Sequence, residues 1–383
     1  MGVGRRPAPA NPRCDRKTGR SPTGRLERNV VTLAHETTSA PEQAPPRYSV
    51  IIVNFNAGAR LARCLDCLAA QSFRDFEIIV FDNNSRDQSI AQARERAPEA
   101  RFILNPDNIG FAAANNRAAE VAAGQWLVFL NPDAYAEAEW VAALDAATYS
   151  YPGVDAFGST QINADDPSVI DGAGDVLHIL GIPYRGHFGW STNKMPPEGE
   201  CFAPCGAAAM YKKAAFDALG GFDERFFCYS EDVDLGFRLR LAGGRTVQLR
   251  NARVLHEGSG VTGRHSDFTI YHGHRNRIWM TYKNMPGLFY WPLWPLRRLA
   301  DLYLLARSFS VGINKPYLKA LRDGYGGLPA LREDRLRLQR ARRARLFDLA
   351  GAFAWSLFKV SRRQAKITPF RREASSSIAP NDD

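Results

Sequence analysis

No stretch of this chain strings together the ~18 apolar residues a membrane-spanning helix needs, so no such helix is expected. The N-terminal residues lack the apolar core of a secretory signal, and none is expected there either. Both absences predict a cytoplasmic catalytic part, at most resting on the inner face of the cell membrane. Cysteine is scarce: six in 383 residues cannot form a disulfide scaffold for so long a chain. Cys64 and Cys67 have zinc or redox spacing, with Cys201 and Cys205 as an imaginable second pair. However, Leu61, Cys64, Leu65 and Leu68 repeat at helical spacing, where thiols act as small buried hydrophobes. The chain also lacks a Gly-x-Gly-x-x-Gly turn after its first strand and a Walker-type loop. That argues against Rossmann dinucleotide and P-loop sites.

What is present is an ordinary globular composition, 45% hydrophobic and 23% charged, with a formal charge of +10. Residues 331–372 hold thirteen Lys+Arg against three Asp+Glu, an excess equal to that of the whole chain. So local a basic run points to an anionic surface, lipid headgroups before nucleic acid. Residues 1–46 are rich in Pro, Arg, Ser and Thr without periodicity and are expected to be a disordered basic tail, as is the short segment 373–383. Residues 47–285 are expected to form one α/β domain. Residues 286–372 form a helical extension, aromatic at Leu288–Leu296 and basic beyond. Peripheral membrane contact through 288–372 is one expectation for it; packing on the domain or pairing two subunits is the other.

The domain reads as α/β. Apolar strands at Tyr48–Val53, Glu77–Phe81, Arg101–Leu104 and Trp126–Leu130 alternate with helices near 60–70, 88–97 and 111–123. That pattern predicts a mainly parallel sheet covered on both faces, with ligands at the carboxyl ends of the strands. Those ends carry Asn54, Asn56, Asp82, Asn84, Asn105-Pro106-Asp107 and Asn131-Pro132-Asp133. The amides and carboxylate at the first two suit the edge of a pyrimidine and a ribose. A plain turn with helix-capping residues fits Asp82–Asp87 equally. Residues 150–215 read as loop-rich, a helix begins near Glu231 with Ser230 as its cap, and Arg245–Arg250 reads as a strand.

In order along the chain stand Ser49–Asn56, Val80–Asp87, Asn108–Asn116, Phe129–Asp133, Gly220–Glu224 and Glu231–Leu235, followed by His256. Together they resemble a GT-A family 2 glycosyltransferase of the rhamnosyltransferase-like branch, over roughly residues 47–285. The resemblance implies a nucleotide-sugar donor contacted by Asn108, Gly110, Phe111, Asn115, Asn131 and Asp133. It further implies a divalent cation, Mg2+ or Mn2+, held by Asp133 and His256; an imidazole ligand would favour Mn2+. The acidic motif usually written Asp-x-Asp is here Asn131-Pro132-Asp133. Asp232 is the implied general base, with Glu231 and Asp234 lining the acceptor side, although all three carboxylates would also suit the positive end of a helix dipole. Arg275 or Arg277 is a candidate grip for the diphosphate, or part of a solvated basic face. His265, His272 and His274 receive no role.

The expected reaction is inverting transfer of one sugar, best L-rhamnose from dTDP-L-rhamnose, with UDP-hexose and galactofuranose donors behind it. The acceptor is a hydroxyl of a cell-surface glycan or lipid-linked precursor. A processive synthase is disfavoured because no Gln-x-x-Arg-Trp motif occurs. A non-catalytic sugar-nucleotide-binding scaffold is the competing class. A nucleic-acid binder is a third, not favoured because the domain carries no nucleic-acid motif; an oligomer is compatible with all of these.

Overall fold

Strand β1 (Tyr48–Asn54) is buried along its whole length, as the run Val50-Ile51-Ile52-Val53 requires. The computed structural model describes residues 44–258 and 266–371; the expectations for nearly all of the 1–46 tail, for 373–383 and for His265 fall outside them. After β1 come α1 (Ala59–Ala69), β2 (Phe76–Asn83), α2 (Ser89–Arg96), β3 (Arg101–Asn105), α3 (Gly110–Glu120) and β4 (Trp126–Leu130). The four strands lie parallel in the order β4-β1-β2-β3. Alternate residues of one strand serve opposite faces: Val50 and Ile52 join one apolar layer, Ile51 and Val53 the other. This is the doubly covered α/β sheet that the sequence predicts. Cys64 packs in the first layer with Cys67 beside it.

The loop-rich reading of 150–215 needs correction. After β5 (Ala134–Ala136) and α4 (Trp140–Ser150) come β6 (Ala156–Asn163), β7 (Ile170–Gly172), β8 (Asp175–His178), β9 (Ile182–Arg185), β10 (Gly199–Glu200) and β11 (Ala208–Lys212). Strand β11 inserts antiparallel between β4 and β6, so four of the sheet's ten strands, β6, β7, β10 and β11, come from the segment read as loop. Polarity hid β6: Ser159, Thr160 and Gln161 are all buried. Two of them are satisfied from neighbours, Trp140 Nε1 donating to Ser159 Oγ at 2.9 Å and Thr160 Oγ1 donating to the Leu249 carbonyl at 2.7 Å.

Then follow α5 (Lys213–Ala218), α6 (Glu231–Leu241) and β12 (Thr246–His256), which pairs parallel to β6. Strand β12 is longer than expected and ends on His256, so that residue belongs to the sheet and not to a turn. Next come α7 (Asp267–Asn284), α8 (Gly287–Tyr290), α9 (Trp294–Ser310), α10 (Asn314–Gly326), α11 (Arg332–Arg340), α12 (Leu346–Ala352) and α13 (Leu357–Ser361). This helical region packs on the sheet domain: Phe353 stacks on Phe202 and meets Phe237 edge-on, and the Thr368 carbonyl accepts from the Glu200 amide at 2.7 Å. Among the described residues no helix is long and apolar enough to cross a membrane.

Candidate active site

A cavity of about 580 Å³ opens at the carboxyl ends of β1, β2 and β4, where the fold predicts it. Asp133 and Asp232, remote in sequence, both line it.

On the sheet wall, register does the positioning. Ala134 of β5 pairs with His256 of β12, which brings Asp133 beside the imidazole. His256 Nε2 lies 3.4 Å from Asp133 Oδ1, while Nδ1 lies 2.7 Å from Asp171 Oδ2. Asp171 stands on β7, which β6 holds in place. Burial disfavours a charged imidazole, yet the two carboxylates outweigh it and raise the His256 pKa. Asp171 also accepts from Arg185, whose guanidinium faces the carboxylates of Asp175 and Asp232. Acidic and basic groups therefore alternate beside the cavity: Asp133, His256, Asp171 buried behind the lining, Arg185, then Asp175 and Asp232. Asp175 and Arg185 are directly paired across the β8–β9 hairpin.

The helix wall is different. Asp232 opens α6, and its Oδ2 accepts from the Gly206 amide at 2.9 Å. A Cβ at position 206 would lie 3.3 Å from that oxygen, so glycine permits the approach. Burial raises the Asp232 pKa, despite the opposing Gly206 and Val233 amides and Arg185. Glu231 and Asp175 are pushed well above the ordinary range, first by burial and then by the Asp232 charge. Carboxyls so placed hold their protons to higher pH than free ones do.

The preceding loop is strained: Phe227, Tyr229 and Ser230 all have positive φ, between 65° and 73°. Ser230 makes no side-chain cap to α6, contrary to expectation, because its backbone is left-handed. Asn276 instead secures the loop from α7, Nδ2 lying 2.8–2.9 Å from the carbonyls of Phe226, Cys228 and Tyr229. Phe227 in turn presses on Gly110, where a Cβ would meet its ring at 2.5 Å. Only a glycine, here at φ +85°, fits.

Of the residues expected at the site, Asn108, Gly110, Phe111, Asn131, Asp133, Glu231, Asp232 and His256 line the cavity. Others lie outside its lining. Asn54 is wholly buried and spends its amide on Asp82, Ser85 and Ser89 at 2.8–2.9 Å. Asn56 and Asn84 are left-handed turn residues, and Asn56 Oδ1 accepts from the Arg86 amide. The cavity wall is made by Val53, Phe55 and Asn83, one residue out of step, because successive strand side chains face opposite ways. Asn115 Nδ2 turns back to the Phe111 carbonyl at 2.9 Å. Asp234 is sealed away with Arg238, Lys283 and Asn284. Arg275 donates to the Arg225 and Phe226 carbonyls and stacks 4.3 Å over Trp279, so it steadies the strained loop. Arg277 is buried against Asp301. The earlier Asn-Pro-Asp copy, Asn105-Pro106-Asp107, begins on the last residue of edge strand β3, and its Asp107 is exposed.

Asp171, Asp175, Arg185 and Cys205 were not among the expected residues. Oxygens of Asp175 and Asp232 and the Cys205 sulfur lie within 4.8 Å of one another. Their one sequence signal is Asp171-Gly172-Ala173-Gly174-Asp175, two carboxylates among residues too small to fill a core. The Asp133 carboxylate and the Nε2 face of His256, which finds no hydrogen-bond partner among the described residues, together make a donor set that suits Mn2+ or Mg2+.

The glycosyl transferase family 2 profile matches residues 49–220. An N-acetylglucosaminyl-diphospho-decaprenol L-rhamnosyltransferase of Mycobacterium tuberculosis is 30% identical over 288 residues, covering 68% of this chain and 92% of that one. The O-antigen biosynthesis protein RfbC of Myxococcus xanthus is 32% identical over 251 residues, 59% of this chain and 19% of that one. The crystal structure of GalNAc-T7 with UDP, GalNAc and Mn2+ shares the fold at a TM-score of 0.56 and 16% identity, covering 84% of this chain and 59% of that one. The chain thus belongs to glycosyl transferase family 2, as a glycosyltransferase of the rhamnosyltransferase-like branch on a GT-A fold.

Proposed function

We propose that the enzyme transfers one L-rhamnosyl residue from dTDP-L-rhamnose to a hydroxyl of a lipid-linked glycan precursor, with inversion at the anomeric carbon. The observation that carries the reaction type is the shared cavity: Asp133 with His256 on the sheet wall, Asp232 on the helix wall. The mycobacterial relative, named for rhamnose transfer to a lipid diphosphate sugar, supports the choice of transferred sugar and acceptor.

Asn108, Gly110, Phe111 and Asn131 are proposed to contact the donor. Asp133 and His256 would hold Mn2+ or Mg2+, which when bound offsets charge on the departing diphosphate. Asp171 fixes the imidazole by its contact to Nδ1, leaving Nε2 for the cation. Asp232 takes the acceptor hydroxyl proton as the new bond forms from that oxygen to the anomeric carbon. The bond from that carbon to the diphosphate breaks on the opposite side. The raised pKa of Asp232 suits this role, since a stronger base accepts the proton more readily. Arg185 steadies the carboxylate once it is ionised.

The test is transfer from dTDP-L-rhamnose, UDP-glucose and UDP-galactofuranose to an N-acetylglucosaminyl-diphospho-prenol, with and without Mn2+. Transfer from the rhamnosyl donor alone supports the reading. Preference for a UDP donor overturns the sugar, and metal-independent transfer overturns the cation.

A further inference from the structure

Helix α9 is inside out. Its buried residues are Arg297, Asp301 and Ser308. Its outward face carries Leu299, Leu302, Tyr303 and Phe309, exposed by 63%, 56%, 63% and 63%. A surface helix in water ordinarily does the reverse. The orientation is fixed from within. Arg297 donates to the carbonyls of Tyr290 at 2.6 Å and Ile179 at 2.9 Å. Asp301 accepts from Arg277 and from the Tyr325 hydroxyl. Half-buried Leu304 and Leu305 pack with Ile278 of α7 and Tyr317 of α10. Rolling the helix to hide its leucines would break this buried ion pair.

Exposed Trp291 and Trp294 extend the apolar face at its N-terminal end. Residues 286–322 hold six Lys+Arg and one acid, and that acid is the buried Asp301. Arg307 and Lys315 are exposed at the far end of the helix, so the rim of the apolar face is positive. A second copy on this face would bring positive rim toward positive rim. Apolar centre, flanking tryptophans and basic margin instead match a bilayer whose headgroups carry negative charge. We propose that α9, with Trp291 and Trp294, lies flat on an anionic lipid surface, its outward leucines entering the acyl boundary.

The test mixes the full chain with vesicles of phosphatidylcholine, either alone or with roughly a third phosphatidylglycerol, and measures the pelleted fraction. The wild type should pellet with the anionic vesicles and show a blue-shifted tryptophan emission. The combined variant Leu299→Ser, Leu302→Ser, Phe309→Ser should lower the partition coefficient by about tenfold or more while keeping its circular dichroism and melting temperature. A second variant, Arg307→Glu with Lys315→Glu, should weaken binding to anionic vesicles most at low salt. Three results would overturn the proposal: no pelleting of the wild type, equal pelleting with neutral vesicles, or a wild-type dimer in sedimentation that the serine variant dissolves. Pelleting needs neither donor nor acceptor, so its failure is separable from failure of the proposed reaction.

Discussion

The two walls of the cavity handle acidity in opposite ways. On the sheet wall each carboxylate has a cationic neighbour, Asp133 beside His256 and Asp171 between His256 and Arg185. On the helix side Glu231 and Asp232 of α6 crowd with Asp175 of β8, and Arg185 is the cation set against them. The contrast teaches how one fold builds two environments: a wall whose carboxylates are neutralised, and a wall where holding a proton is favourable. Strand register builds the first; a strained loop and a helix start build the second.

Breaking the helix wall should have the largest effect. Asp232→Asn should lower turnover by about a hundredfold or more, with donor affinity nearly unchanged, as read by separate kcat and binding measurements. On the sheet wall, Asp171→Asn should leave His256 in place but weaken Mn2+ binding about 10- to 100-fold, measured by calorimetry without any substrate. Asp234→Ala probes the same helix two residues from Asp232, the proposed base. It should cost about 3–5 kcal/mol in denaturant unfolding, because Arg238 is left buried without a carboxylate and Lys283 keeps only Asp223. Activity per folded molecule should survive.

Proton linkage sharpens the contrast in sign. The raised Asp232 pKa means the base is protonated where a free aspartate, at about 3.9, is already ionised. The acid limb of the rate profile should therefore lie at higher pH than that. The raised His256 pKa works the other way on metal: Mn2+ affinity should climb as pH rises through it, because a protonated imidazole cannot ligate. The smallest effect is expected at Glu231, whose Oε2 is buried without a hydrogen-bond partner among the described residues. Its raised pKa favours folding at low pH, a contribution lost as pH rises through the folded value. Thermal unfolding of Glu231→Gln should lack that loss.

Much of this was legible in sequence because it is written in apolar periodicity. Strands β1 to β4 are apolar runs with polar ends, and those ends pointed to the mouth of the sheet and to Asp133. Strand β6 was illegible because Ser159, Thr160 and Gln161 are buried by virtue of partners far along the chain. Asp171, Asp175 and Arg185 were missed with it. A different limit operated at Asn54 and Asp82: the strand end is visible in sequence, but which alternate residue faces the ligand depends on pleat. Asp234 shows the helical version. It shares a turn with Asp232, yet points toward Lys283 and not the cavity. Helix α9 misleads any reading that assumes apolar means inward.

The central claim is that two walls act on one sugar, Asp232 as base and the Asp133–His256 pair beneath the diphosphate. Single-turnover transfer by Asp232→Asn, at Mn2+ and donor concentrations shown by calorimetry to saturate it, tests this most directly. The account predicts normal Mn2+-dependent donor binding with transfer slowed by about a hundredfold or more. Transfer at the wild-type rate in that variant would contradict it.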